Sequence, residues 1–122
     1  MDEPFDLACL TCRNVPVRRF DAGERIFLED DAGDCLFVVR SGKVDVITFG
    51  SVLESVGPGG MFGEMALIDG GQRAAAALAA EATEVAVVDK ETFHALVREE
   101  PAFALAVMRV LAQRIRHMGR PQ

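Results

Sequence analysis

The chain has 122 residues, half apolar and about a quarter charged, which is enough for one compact domain with a modest core. Its net charge of −6 argues against a surface that wraps nucleic acid, and no apolar run is long enough to span a bilayer. The three cysteines are too few, and odd in number, for a disulfide framework, and the Met-Asp-Glu-Pro start lacks the basic and apolar regions of a signal peptide; a cytoplasmic protein without membrane insertion is expected.

Pro4 to Cys12 is predicted as a short helix within an N-terminal segment, 1–14. Cys9 and Cys12 have the spacing of half a metal or redox site. Zinc would need two more ligands, and the only histidines, His94 and His117, fall in the C-terminal helical region. The thiols therefore read as small apolar residues, with Cys35 in the core. A first strand is predicted over Val15 to Arg19, with Arg18 and Arg19 on a solvated edge. Turn signals then recur at Gly23, Asp31-Ala32-Gly33-Asp34, Ser41-Gly42, Phe49-Gly50 and Val56-Gly57-Pro58-Gly59-Gly60. Between them lie short β-rich runs: Arg25 to Leu28, Cys35 to Arg40, Lys43 to Thr48 and Ser51 to Val56. Many short strands at regular spacing predict an antiparallel sandwich or barrel, and a jelly roll manages the strand edges. Leu36 to Val39 is apolar on both faces, so that strand should lie between its sheet and other protein. Ser51, Glu54 and Ser55 mark an exposed hairpin.

By propensity alone, Ala74 to Ala80 would be helical. Glu84 to Val88 reads as a strand. Asp89 is an N-cap candidate for a helix with Phe93, Leu96 and Val97 on one face, and Pro101 suits the first turn of the next helix. That last helix, Pro101 to about Met118, carries Phe103, Val107, Leu111, Ile115 and Met118 as a stripe. The stripe either packs on its own barrel or continues into a homodimer interface. The basic residues gathered at the C-terminus suit a helix dipole better than a DNA-binding arm.

The richest chemistry lies in Gly59-Gly60-Met61-Phe62-Gly63-Glu64-Met65-Ala66-Leu67-Ile68, followed by Gly70-Gly71-Gln72-Arg73-Ala74-Ala75. One carboxylate, Glu64, and one guanidinium, Arg73, sit among glycine, alanine and apolar residues. Small residues let backbone N–H groups approach a ligand, and a helix turn starting at Gly63 would aim free N–H groups at an anion. Arg73 adds a rigid fork that suits phosphate. Glu64 would repel phosphate, so it should serve another part of the ligand, such as a sugar hydroxyl. An anion beside a diol beside an apolar wall describes a nucleotide with few phosphates. The competing reading is a structural Glu64–Arg73 ion pair in a tight turn.

The FGEMAL…RAA pattern of Phe62 to Ala75 resembles the phosphate-binding cassette of the cyclic-nucleotide-binding domain family, of the catabolite activator protein, protein kinase A regulatory subunit and cyclic-nucleotide-gated channel type. The resemblance runs from about Val15 to Met118 and includes Phe20-Asp21-Ala22-Gly23-Glu24-Arg25-Ile26-Phe27 and Asp31 to Val44. It implies one domain over 1–122, mainly β with flanking helices: an antiparallel β jelly-roll barrel (double-stranded β-helix) over 15–89, a cassette over 62–76 with its own helix, and C-terminal helices over 90–119. It also implies a strand where the alanine run favours helix.

By the same resemblance, Glu64 accepts the ribose 2′-hydroxyl and Arg73 pairs with the exocyclic oxygens of the cyclic phosphate. The peptide groups of Gly63, Met65, Ala66, Ala74 and Ala75 fall where backbone contacts ribose and phosphate. Ala74 stands where some members carry a guanine-bonding Ser or Thr, which tilts the expected ligand toward cAMP over cGMP. Arg114 is either a lid over the purine, as in some prokaryotic members, or a solvated charge. Asp30, Gln72 and Ala76 replace a usual glycine, proline and threonine.

The expected function is a sensor and not an enzyme, since no nucleophile–base pair is evident. A small jelly-roll enzyme would need a His-rich metal site, and no histidine precedes Asp89. No metal and no cofactor beyond the cyclic nucleotide is expected. The sequence ends at Gln122 without an effector segment, so output is expected to pass to an unidentified effector protein or a second copy, with no direct nucleic-acid contact. The alternative is a degenerate member of the fold that binds no ligand and acts in protein docking.

Overall fold

In the computed structural model, which describes residues 15–48, 50–69, 72–73 and 75–119, two four-stranded antiparallel sheets face each other. The first has the order β1 (Val17–Phe20), β8 (Thr83–Asp89), β3 (Cys35–Ser41), β6 (Met61–Phe62). The second has the order β2 (Arg25–Phe27), β7 (Ala76–Ala79), β4 (Val44–Thr48), β5 (Ser51–Val56). A short helix, α1 (Glu64–Asp69), lies between β6 and β7, and α2 (Lys90–Glu99) and α3 (Pro101–Gly119) follow β8. This is the jelly-roll architecture with flanking helices. The Pro4 to Cys12 helix, with Cys9 and Cys12, falls outside the described residues.

Strand β3 shows why its sequence is apolar on both faces. Side chains alternate across a strand. Leu36 and Val38 pack with Leu67, Leu96, Phe103 and Val107 under the helices. Phe37 and Val39 join Val44, Val46, Phe62, Ala77 and Val85 between the two sheets. One strand thus serves two cores, and burying its four apolar side chains contributes several kcal/mol at about 1.5–3 kcal/mol each.

The alanine run forms a strand against its propensity. β7 lies inside its sheet, with Ala77 opposite Val46 and Ala79 opposite Val44 on one side and Leu78 opposite Arg25 on the other. Two ladders and burial of Ala77 and Ala79 between the sheets outweigh a helix preference of a few tenths of a kcal/mol per residue. The two-residue β6 carries no such signal in the sequence.

Asp89 caps α2: the Thr92 N–H donates to Asp89 Oδ1 at 2.8 Å. That bond holds the Asp89 carboxyl below its ordinary value. A lowered folded-state pKa contributes stability above the ordinary carboxylate range and loses it as pH falls through the folded value. Asp89→Ala is therefore expected to cost about 1 kcal/mol in urea unfolding at neutral pH. The gap between variant and parent should close in acid; a gap independent of pH would contradict the cap.

Pro101 opens α3 as predicted. Phe103 and Val107 are buried, and Leu111 packs against the same core, while the side chains of Ile115 and Met118 lie outside the described set. Two expectations need correction. Val97 is exposed rather than inward, because α2 turns only Leu96 fully into the core. Cys35 is half-buried, since it sits where β3 emerges beside Arg73.

Candidate ligand-binding site

A cavity of about 310 Å³ opens between the second sheet, the β6–α1 turn and α3. The strands contribute Phe27, Val46, Thr48, Leu53 and Glu54; the loop after β2 contributes Glu29; the cassette contributes Phe62, Gly63, Glu64, Met65, Ala66, Arg73 and Ala75; α3 contributes Arg114. The sequence-derived candidates Gly63, Glu64, Met65, Ala66, Arg73, Ala75 and Arg114 thus share one cavity, and Ala74 falls outside the described residues.

Arg73 is positioned from several sides. Its Nη1 donates to the Gly63 carbonyl at 2.7 Å and its Nη2 to the Cys35 carbonyl at 2.9 Å. The guanidinium carbon lies 4.3 Å from the Phe27 ring centroid and 5.5 Å from that of Phe37. Cation–π attraction to a desolvated guanidinium is worth about 2 kcal/mol. Two glycines make room for it. At Gly33 a Cβ would stand 2.5 Å from Nε, and at Gly63 one would stand 2.8 Å from Nη1. Gly63 also has φ +80°, a left-handed conformation that glycine adopts at little cost.

The backbone of Arg73 is stapled to the β2–β3 loop. Its N–H donates to the Asp31 carbonyl at 2.7 Å, and its carbonyl accepts from the Asp30 N–H at 2.8 Å. Asp30 has φ +73°. The turn therefore does need the conformation that a glycine usually supplies, at a cost of roughly 1–2 kcal/mol for a residue with a Cβ. Gln72, in place of proline, bridges to Ala32.

The electrostatics are unusual for so small a core. Arg73 is only 5% exposed, forms no ion pair with any described carboxylate, and leaves its Nε without a partner. The structural Glu64–Arg73 pair is therefore absent. Glu64 is 1% exposed and pairs through Oε2 with Arg114 Nη1, while its Oε1 accepts no hydrogen bond. Arg114 is 7% exposed, so it is not a solvated charge. Its Nε donates to Glu54 Oε1 at 3.1 Å and its Nη2 to the Met61 carbonyl at 3.4 Å. Burial works against the Arg114 charge, but Glu64 and then Glu54 hold its pKa above the ordinary value. Burial likewise pushes the Cys35 thiol up, against the pull of Arg73.

Glu54 and Leu53 were not legible as cavity residues. Where β4 pairs with β5, Val46 faces Glu54 while the next residue, Ile47, faces Val52, so Leu53 is an inserted bulge residue in β5. A bulge re-aims neighbouring side chains, and here both Leu53 and Glu54 reach the cavity. Glu54 thus faces inward where an exposed hairpin position was expected.

The model of a family described as the cyclic nucleotide-binding domain matches residues 17–100. The cyclic AMP receptor protein of Thermus thermophilus is 39% identical over 81% of this chain and 48% of its own length. A cAMP-dependent protein kinase regulatory subunit of Yarrowia lipolytica is 36% identical over 70% of this chain and 24% of its own length. The crystal structure of the Thermus thermophilus catabolite activator protein superposes with a TM-score of 0.78 at 36% identity, over 91% of this chain and 55% of that one. The chain spans about half the length, or less, of these relatives.

Proposed function

The chain belongs to the cyclic nucleotide-binding domain family, and we propose that it is a regulatory module that binds cAMP in preference to cGMP and signals without catalysing a reaction. The observation that carries this reading is the pair of unmet demands in one cavity: a buried guanidinium that forms no ion pair, and a buried carboxylate oxygen that accepts no hydrogen bond, among the described residues.

A cyclic phosphate monoanion answers the first demand. Burying a cation without a counter-charge is costly, and a phosphate facing the Arg73 fork offsets that cost through charge-assisted hydrogen bonds. The opening N–H groups of α1, at Glu64, Met65 and Ala66, lack intrahelical acceptors and add donors on the same side. The peptide groups of Gly63, Ala74 and Ala75 complete this reading of the cassette. The ribose 2′-hydroxyl answers the second demand by donating to Glu64 Oε1. Arg114 holds the other oxygen and so fixes the carboxylate for that role. The base then lies along Val46 and Leu53. The adenine preference is supported by Ala74, which offers no hydroxyl to guanine, and by the naming of the Thermus relative for cyclic AMP.

Signalling follows from the same contacts. Arg114 belongs to α3 but is anchored on Glu64 in α1 and Glu54 in β5. A ligand that engages Glu64 changes the anchorage of α3, and a ligand shifts a conformational equilibrium only by its differential affinity for the two states. The effector is a separate protein, another segment of a longer polypeptide, or a second copy of the chain. Hydrogen exchange with and without cAMP tests this. Slower exchange in the 62–76 cassette and in α3 is expected; protection of the cassette with α3 unchanged would remove the signalling role.

A further inference from the structure

The polar inventory of the cavity is asymmetric, and its second end has a chemistry of its own. Arg73 precedes β7, and the Phe27 ring beside its guanidinium lies in the neighbouring edge strand, β2. Glu54 and Leu53 belong to β5, the opposite edge of the same sheet. An anion held at Arg73, with its ribose on Glu64, puts the base toward β5.

The groups open to a ligand at that end are few. Each nitrogen of Arg114 donates one hydrogen bond, to Glu54, Glu64 or the Met61 carbonyl, which uses three of its five N–H groups. The hydroxyl of Thr48 can donate or accept and so does not discriminate. Glu54 uses Oε1 to accept from Arg114, and its Oε2 accepts nothing from any described residue. A carboxylate is an acceptor only. Oε2 of Glu54 is therefore an acceptor open to a donor on the base, and the bulge at Leu53 is what brings Glu54 to the cavity.

We propose that Glu54 is a specificity-determining residue that selects cyclic nucleotides whose base carries an exocyclic amino group over those whose base carries only oxo groups. The inference rests on the cyclic-nucleotide reading of the cavity. An exocyclic amino group, as on adenine, donates to Glu54 Oε2. A 6-oxo purine without an amino group sets lone pairs against the carboxylate, and its single ring N–H is flanked by that oxygen. Oε1 of Glu54 accepts from Arg114 Nε, which leaves Oε2 as the oxygen that meets the base.

The test compares cAMP with cyclic IMP, which differs by amino against oxo at the purine 6-position. Calorimetric titrations are run on the parent protein, Glu54→Gln and Glu54→Leu. The parent should prefer cAMP by about tenfold or more, the scale of a hydrogen bond to a charged group. In Glu54→Gln the amide can donate as well as accept, and the preference should fall to within about threefold by the same reasoning. Glu54→Leu should also lose the preference, because it neither accepts from the amino group nor repels the oxo group. A cAMP to cyclic IMP ratio unchanged in both variants overturns the role of Glu54 and leaves the nucleotide site standing. A parent protein that binds neither ligand overturns the site itself and this inference with it.

Discussion

Replacing Arg73 by alanine is expected to weaken cAMP binding by at least about 100-fold, since each hydrogen bond to a charged group contributes about 1.5–3 kcal/mol and the fork can offer two. Nothing else described in the cavity can take over. Arg114, the other lining guanidinium, is committed to two carboxylates. The expected loss is specific to the phosphate, because Glu64 and the apolar wall remain. Arg73→Lys should recover little, as a point charge on a flexible stem cannot reproduce a bidentate contact. Gly33→Ala approaches the same group from behind. Its Cβ would fall 2.5 Å from Nε and 2.7 Å from the Ala66 Cβ, so the guanidinium must move and binding should weaken with the arginine still present. Isothermal titration of the three variants checks this, and wild-type affinity in Arg73→Ala would remove the anion site from that end of the cavity.

Arg114→Ala should have the largest effect on stability. It leaves the Glu64 carboxylate, 1% exposed, without the partner that compensates its burial. Removing one member of a buried pair costs about 3–5 kcal/mol. For a domain of this size that corresponds to a Tm lower by roughly 10–20 °C. The loss also unties α3 from β5, although Glu54 is exposed enough that its share is small. The double variant Glu64→Gln/Arg114→Ala separates the causes. If the unpaired charge dominates, the double variant should recover much of the loss; if lost packing of α3 dominates, it should recover none. Thermal unfolding of the single and double variants decides between them.

The parts of the fold that could be read from sequence were those where the local signal and the tertiary environment agree. The turn residues divided the chain into the strands that form. The two-faced apolarity of Leu36 to Val39 announced a strand between two cores. Asp89 and Pro101 marked their helix starts. Ala76 to Ala79 was legible only through family resemblance, because its strand is made by two ladders and burial that alanine does not signal. In the site, the cassette placed Glu64 and Arg73 in one cavity because they are close in the chain. The partnership of Glu64 with Arg114, 50 residues away, depends on how α3 docks and has no local signature. Glu54 was hidden for a different reason. A one-residue bulge reverses the facing of a strand, and nothing in Ser51 to Val56 marks where that bulge falls.

The measurement that bears most directly on the central claim is calorimetric titration of the protein with cAMP, with cGMP and 5′-AMP alongside. Tight binding of cAMP, weaker binding of cGMP and weak binding of 5′-AMP are expected, because the cassette is read as a cradle for a cyclic phosphate monoanion fused to the ribose that Glu64 holds. Absence of heat and of thermal stabilisation with all three would contradict that claim and leave the cavity without its ligand.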